Sequence, residues 1–149
     1  RESYGVCFGR WMGDCACRCL SDAFDLVTWV PVSRKRLRER GFDQCRLLAM
    51  QVAKVYGKRP VRTLKKWKDI PALASGEGGR AERQKQVNGV YRGVCTGRIA
   101  GKRILLVDDI ITTGSTLDEA ARTLLAAGAA EVCCVTAART PVHQDETEM

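Results

Sequence analysis

Ile104-Leu-Leu-Val-Asp108-Asp109-Ile-Ile-Thr112-Thr113-Gly114-Ser115-Thr116 is the stretch of this chain that decides its fold. Its apolar residues predict a buried strand over 103–107. The small polar residues that follow the two carboxylates lead into a helix, which we expect over 117–127. A buried strand that passes through a short loop into an amphipathic helix is one unit of an α/β protein.

Further units of the same kind lie on both sides of this stretch. Apolar runs predict strands, and apolar residues at spacings of three and four predict helices; the strands fall at 25–32, 61–64 and 132–137 and the helices at 8–20 and 41–57. Alternating strands and helices form a mostly parallel sheet. We therefore expect an α/β fold, an open mostly parallel sheet flanked by helices, in a single domain over residues 1–149.

Two polar segments stand outside this pattern. Residues 66–98 are charged and rich in glycine, which predicts a mobile excursion with a hairpin around 87–91. Residues 142–149 are polar and acidic, and we expect this tail to fray.

The two carboxylates after the third predicted strand need a partner. Like charges that are adjacent and partly desolvated raise each other's pKa, so Asp108 and Asp109 are costly in a plain core. The next five residues can cradle an anion with their N–H groups, their hydroxyls and the dipole of the following helix: Thr112, Thr113, Gly114, Ser115 and Thr116. Taken singly, the carboxylates also fit a strand-ending turn and the loop a helix N-cap. Together they suit sugar hydroxyls beside a phosphate, as in ribose 5-phosphate.

The net charge of +8 is unevenly distributed. Residues 31–103 carry 20 Lys and Arg against 5 Asp and Glu, whereas residues 104–149 carry 2 against 8. The surplus fits a polyphosphate ligand, a nucleic-acid backbone or a solvated surface, and it does not choose among them. No apolar run approaches the ~18 residues of a membrane span and no signal peptide is recognisable, so we expect a soluble, cytoplasmic protein.

Eight cysteines are scattered through the chain, mostly in apolar segments. The cluster Cys15, Cys17 and Cys19 has alternating spacing rather than C-x-x-C, and a helix would turn Cys17 away from the other two. We expect reduced, buried thiols and no zinc site.

Residues 104–116 resemble the phosphoribosyl-pyrophosphate binding motif of type I phosphoribosyltransferases. The resemblance implies that family's fold, with Asp108 and Asp109 binding the ribose 2′ and 3′ hydroxyls directly or through Mg²⁺. These carboxylates would also favour the positive charge that develops at the anomeric carbon. Residues 112–116 would hold the 5-phosphate. The pyrophosphate would lie on the basic loop after the first strand, at Ser33, Arg34, Lys35 and Arg36.

The implied reaction is in-line displacement of pyrophosphate by a nitrogen nucleophile. Mg²⁺ would bridge the pyrophosphate and ribose oxygens, and the protein would supply positioning and electrostatics. The acceptor is not readable from the sequence, because loops of this fold choose it.

A second resemblance narrows the family. Val30-Pro-Val-Ser33, followed by RLRERGFDQ at 36–44, is similar to the signature of ComF-family, competence-associated phosphoribosyltransferase-like proteins, as is RxxQVxGxY at 83–91. The residues that carry this motif are Arg40, Gly41, Phe42, Asp43, Gln44 and Arg83. Asp43 and Gln86 stand where the family usually has Asn. Relatives usually begin with a cysteine-rich zinc-binding segment, which we expect this chain to lack.

The competence association leaves a second function open. A non-catalytic module of a DNA-uptake assembly would bind single-stranded DNA or competence-machinery proteins through the basic face. Such a face needs exposed aromatic rings among its charges, and in the basic half only Trp67 and Tyr91 lie outside the predicted core, whereas Trp29 is expected inside it. Dimers are common for this fold, so a homodimer is compatible with the sequence but not required by it.

Overall fold

The computed structural model of the chain describes residues 2–20, 23–68 and 80–141. The tail expected to fray, 142–149, lies outside the described residues, as does 69–79 within the predicted excursion. The helices are α1 Glu2–Cys19, α2 Arg34–Arg40, α3 Gln44–Val55, α4 Arg80–Val87, α5 Thr96–Ile99 and α6 Ser115–Ala126; the strands are β1 Leu26–Trp29, β2 Leu64–Lys66, β3 Tyr91–Gly93, β4 Arg103–Ile111 and β5 Glu131–Arg139.

A three-stranded parallel sheet in the order β1-β4-β5 forms the centre of the molecule. Leu26 pairs with Ile104 and Trp29 with Val107, so β1 lies in register along the first half of β4. Because β1 and β4 are parallel to each other, their carboxyl ends lie at the same edge of the sheet. Ligands bind at this edge in open α/β folds. The predicted α/β architecture is confirmed.

Each face of the sheet carries its own core. Side chains alternate along β4, so Leu105 and Val107 face α1 and α3, while Ile104 and Leu106 face α6 and the β2–β3 ribbon. All four are fully buried. This two-sided burial explains why β4 is a continuous apolar run.

Helix α1 packs closely on α3 through two glycines. A Cβ at Gly9 would lie 2.5 Å from Gln51 Cβ, and one at Gly13 would lie 2.6 Å from Val55 Cγ2. No side chain fits in that space, so the helices approach at these positions by backbone contact. None of the described helices is both long and apolar enough to cross a membrane.

The segment predicted as a basic loop after β1 is helical. Ser33 caps α2 by accepting a hydrogen bond from Arg36 N at 3.2 Å, and Gly41 ends the helix in the left-handed conformation at φ 77°. None of the residues of α2 is buried, so the helix has no apolar periodicity that the sequence could reveal.

The hairpin predicted around 87–91 is wrong. Residues up to Val87 are helical, and a turn through Gly89, at φ 70°, leads into β3. Strand β3 pairs antiparallel with β2, which begins at Leu64, the last residue of the strand predicted at 61–64. Tyr91, expected outside the core, is only 5% exposed.

The cysteines differ from expectation in burial. All eight are free thiols, but only Cys45 is buried. Cys15 and Cys19 are exposed on one side of α1, while Cys17 is half-buried, so the expected separation of Cys17 from its neighbours is confirmed.

Candidate functional site

The carboxylate pair lies within β4 rather than after it. The strand continues to Ile111, and Asp108 pairs with Thr136 of β5. The Asp108 side chain is buried at 6% exposure. Its Oδ1 accepts hydrogen bonds from Cys45 Sγ at 3.3 Å and from Asp109 N at 2.9 Å. These two donors fix one oxygen of the carboxylate.

Asp109 lies beside this buried group and is only partly buried. Its Oδ1 accepts a hydrogen bond from Ile110 N at 2.8 Å. One ligand atom from each of Cys45, Asp108 and Asp109 lies within 4.8 Å of the others, which is close enough for a metal ion to contact them together. Helix α3 supplies the thiol and β4 supplies the carboxylates.

The electrostatics of this cluster disfavour added negative charge. Burial and, second, the charge of Asp109 raise the pKa of Asp108. Burial and the charge of Asp108 likewise raise the pKa of the Cys45 thiol. A cation placed here would reverse both effects, because it neutralises the charge that the cluster resists.

The loop after β4 turns sharply into α6. Gly114 takes the left-handed conformation at φ 84°, and α6 begins at the next residue. Thr113 Oγ1 lies 3.0 Å from Ser115 Oγ, so these hydroxyls bond to each other. The first N–H groups of a helix have no partner within it, and they point towards the loop.

Asp108 and this loop share one hollow. It is shallow and open to solvent, and it is lined by Asp108, Ile110, Ile111, Thr112, Gly114, Thr116 and Leu117. The structure therefore brings together one of the two predicted carboxylates and three of the five predicted phosphate-binding residues. Asp109, Thr113 and Ser115 lie beside the hollow without lining it.

The predicted pyrophosphate residues begin at the same edge of the sheet. Ser33 is 5% exposed and its oxygen caps α2, whereas Arg34, Lys35 and Arg36 are exposed. The Tyr91 hydroxyl is affected by charges on both sides of the site, Asp108 on one and Arg36 on the other. Burial and the charge of Asp108 raise the pKa of the Tyr91 hydroxyl, and the charge of Arg36 opposes them.

Sequence reasoning missed Cys45 and Tyr91 as neighbours of the site. Cys45 lies on the buried face of α3, and its contact with Asp108 spans 63 residues of chain, which no local pattern predicts. Tyr91 was placed outside the core. Gly89, two residues before Tyr91, was the feature of the sequence that could have indicated its burial. This glycine turns the chain, at φ 70°, so that β3 enters the core.

The RGFDQ motif shapes the backbone beneath the site. Gly41 ends α2, and Asp43 caps α3 by accepting a hydrogen bond from Arg46 N at 3.1 Å. Asp43 also accepts a hydrogen bond from the indole of Trp29 at 3.0 Å. The other described members, Arg40, Phe42 and Gln44, are exposed. Arg83 lies on α4, and its side chain is outside the described part.

Comparison with known proteins agrees with this architecture. The profile of the phosphoribosyl transferase domain matches residues 45–149. The chain therefore belongs to the phosphoribosyl transferase domain family. Within that class it is 31% identical over 115 residues to competence protein F of Haemophilus influenzae, an alignment that covers 69% of this chain and 45% of that protein. The resemblance to the ComF family is confirmed.

Solved structures show the same fold. The chain superposes on an enzyme described as the allosteric regulatory enzyme of purine biosynthesis, with a TM-score of 0.61 and 25% identity. It also superposes on glutamine phosphoribosylpyrophosphate amidotransferase from B. subtilis, with a TM-score of 0.60 and 24% identity. Each superposition covers 91% of this chain and 26% of the other. The fold is the type I phosphoribosyltransferase fold, and the chain spans less than half the length of these relatives.

Proposed function

We propose that this chain binds phosphoribosyl pyrophosphate with Mg²⁺ and transfers the phosphoribosyl group to a nitrogen acceptor. The observation that carries the proposal is the shared hollow, in which a buried carboxylate and a loop at a helix N-terminus face the same space. Such a hollow matches a sugar that bears both hydroxyls and a phosphate. The family match supports the same chemistry.

The roles follow from the groups at each position. Asp108 and Asp109 accept hydrogen bonds from the ribose hydroxyls. The N–H groups and hydroxyls of 112–116 hold the 5-phosphate at the positive end of the α6 dipole. The cations of Arg34, Lys35 and Arg36 draw the pyrophosphate to the end of β1. The substrate is thereby held at both ends, which positions its anomeric carbon for attack.

The donor set fits Mg²⁺. Hard cations prefer oxygen ligands, and the two carboxylates supply them beside the hollow, so Asp108 and Asp109 would hold the ion. When bound, it neutralises the charge of the departing pyrophosphate. The carboxylates themselves stabilise the positive charge that develops on the ribose ring as the bond to pyrophosphate breaks. The electron pair of that bond leaves with pyrophosphate, and the acceptor nitrogen supplies the new pair.

Isothermal titration of phosphoribosyl pyrophosphate, with and without Mg²⁺, tests the proposal. We expect one Mg²⁺-dependent site in the parent protein and at least about tenfold weaker binding in the double variant Asp108→Asn, Asp109→Asn. The matched control is Asp14→Asn, which makes the same carboxylate-to-amide change at an exposed position of α1. This variant should bind phosphoribosyl pyrophosphate as the parent does. Undiminished binding by the double variant would refute the assigned site.

The basic face supports a second candidate function, binding of single-stranded DNA. Trp67 is 51% exposed, and the guanidinium of Arg92 lies 3.7 Å above its ring centre. An exposed ring beside cations is the arrangement on which bases stack. In the described part of the basic half, Phe42 is the other exposed aromatic side chain, at 40%. Burial of Tyr91 removes one ring that this function was expected to use.

A fluorescently labelled oligonucleotide tests the second candidate. If DNA binds at this face, Trp67→Ala weakens binding and affinity falls steeply with salt, whereas Trp11→Ala on α1 does not change it. A shallow salt dependence, or equal effects of the two variants, would count against it.

A further inference from the structure

Two thiols lie side by side on the outer surface of α1. Cys15 and Cys19 are four residues apart, which places them one above the other on the same helix face. Their Sγ atoms are 3.9 Å apart, and both side chains are exposed. Cys17 is on another side of the helix and is half-buried. The cluster of three cysteines in the sequence is therefore a pair in space.

The sulfur separation matches a bidentate metal site. Thiolate ligands bind Zn²⁺ at about 2.3 Å, so two corners of a tetrahedral ion lie about 3.8 Å apart. The distance of 3.9 Å between the two Sγ atoms is close to this value.

The helix that carries the pair is held firmly. Met12 and Ala16 are buried against the core, and the backbone of α1 lies directly on α3 at Gly9 and Gly13. Both thiols are exposed beside this packed face. The distance between them is thus set by a helix whose position is fixed by packing.

Local electrostatics favour a cation at this position. Cys15 and Cys19 occupy the last turns of α1, where the helix dipole presents its negative end. Two thiolates so close together repel each other, and a divalent cation between them removes that repulsion.

We propose that Cys15 and Cys19 form a two-thiolate site for a soft divalent cation such as Zn²⁺ or Cd²⁺. Binding breaks two S–H bonds, forms two metal–sulfur bonds and releases two protons to the buffer, while water completes the coordination shell. A structural zinc centre has four protein ligands, whereas this site has two. Among the described residues, the group of three possible metal ligands lies elsewhere, at Cys45, Asp108 and Asp109. It does not rest on the proposed transferase function.

Cadmium titration of the reduced protein tests this inference. Thiolate coordination gives an ultraviolet charge-transfer band, which we expect to saturate at one ion per chain. Cys15→Ser and Cys19→Ser should each weaken binding by about tenfold or more, because each removes one of two ligands. Cys7→Ser and Cys17→Ser, changes on the same helix, should leave it unchanged. Circular dichroism verifies that each variant is folded.

Alkylation locates the ion independently. Cadmium should protect Cys15 and Cys19, but not Cys7, from iodoacetamide, as measured by peptide mass spectrometry. The proposal is overturned if the band survives in both Cys15→Ser and Cys19→Ser, or if it disappears in Cys45→Ala instead. Saturation at half an ion per chain, with dimer formation, would also overturn a site within one chain.

Discussion

The Asp108 carboxylate is buried at a cost to stability. Its pKa is raised in the folded protein, so folding favours the protonated form. The stabilisation that this proton provides is complete below the ordinary carboxyl pKa. It is lost as the pH rises through the higher pKa of the folded state. Above that pKa the folded protein therefore carries a charge that its surroundings disfavour.

Asp108→Asn should consequently stabilise the protein at pH 8. The amide oxygen still accepts from Cys45 and from Asp109 N, and no charge is buried, so we expect a gain of about 2 kcal/mol in the free energy of unfolding. The gain should shrink as the pH falls towards 4, because the carboxyl is then protonated in the folded protein and no charge is buried. Urea unfolding in chelator-treated buffer measures it, with the exposed change Asp14→Asn as control. A parent protein more stable than the variant at pH 8 would contradict this.

The thiol of Cys45 orients that carboxylate. It donates to Oδ1 at 3.3 Å, and this leaves the second oxygen available to the hollow. Cys45→Ser keeps a donor, whereas Cys45→Ala removes it, so alanine should weaken the proposed Mg²⁺-dependent binding of phosphoribosyl pyrophosphate by about threefold to tenfold. Serine should restore most of it. Calorimetric titration of both variants checks this, and a serine variant as weak as alanine would show that the thiol acts through packing alone.

At the scale of elements, the contact between α1 and α3 depends on missing side chains. A Cβ at Gly13 would meet Val55 Cγ2 at 2.6 Å, whereas one at Gly5, on the same helix, would meet nothing within 4 Å. Alanine at Gly5 therefore changes helix propensity alone, whereas alanine at Gly13 changes both helix propensity and packing.

Gly13→Ala and Gly5→Ala should therefore have opposite effects. Alanine at Gly13 forces the helices apart and should lower the free energy of unfolding by about 1–3 kcal/mol. Alanine at Gly5 improves helix propensity and should raise it by about 0.5–1 kcal/mol. Thermal and urea unfolding of the two variants provide the comparison. Equal effects at both sites would mean that α1 is not packed as described.

At the scale of the whole molecule, a buried carboxylate with an exposed arginine partner joins the turn before β3 to α6. Glu119 of α6 is fully buried and accepts a hydrogen bond from Gly89 N at 2.8 Å. Arg122 donates to the same carboxylate at 2.6 Å and 2.8 Å. The hydrogen bond from Arg122 in particular lowers the pKa of Glu119.

Glu119→Gln should destabilise the protein by about 1–2 kcal/mol at pH 7, because the amide loses the charge that pairs with Arg122 and offers one acceptor oxygen in place of two. The contribution of a lowered carboxyl pKa is present above the ordinary value and is lost as the pH falls through the folded one. The difference between parent and variant should therefore narrow in acid. Urea unfolding at pH 7 and pH 4 measures it, and a difference that grows in acid would exclude this mechanism.

Patterns local in sequence predicted most of the architecture. Apolar runs identified β1, β4 and β5, and the residues 104–116 predicted that Asp108 and the following loop would lie together, as they do. These patterns do not predict contacts between segments that are far apart along the chain. The Cys45–Asp108 hydrogen bond, the β2–β3 pairing and the burial of Tyr91 all depend on how separate segments meet.

The parallel pairing of β1 with β4 sets the order in which the molecule can assemble. Leu26 and Ile104 are neighbours in the sheet although 78 residues separate them along the chain. Closing so long a loop costs conformational entropy before the strand pairing can offset it. Helices α1 and α3 are closer together along the chain, so their contact closes a shorter loop. On the ribosome, β1 must wait until β4 has been synthesised. The hollow that β4 and its loop create is therefore among the last parts of the molecule to form.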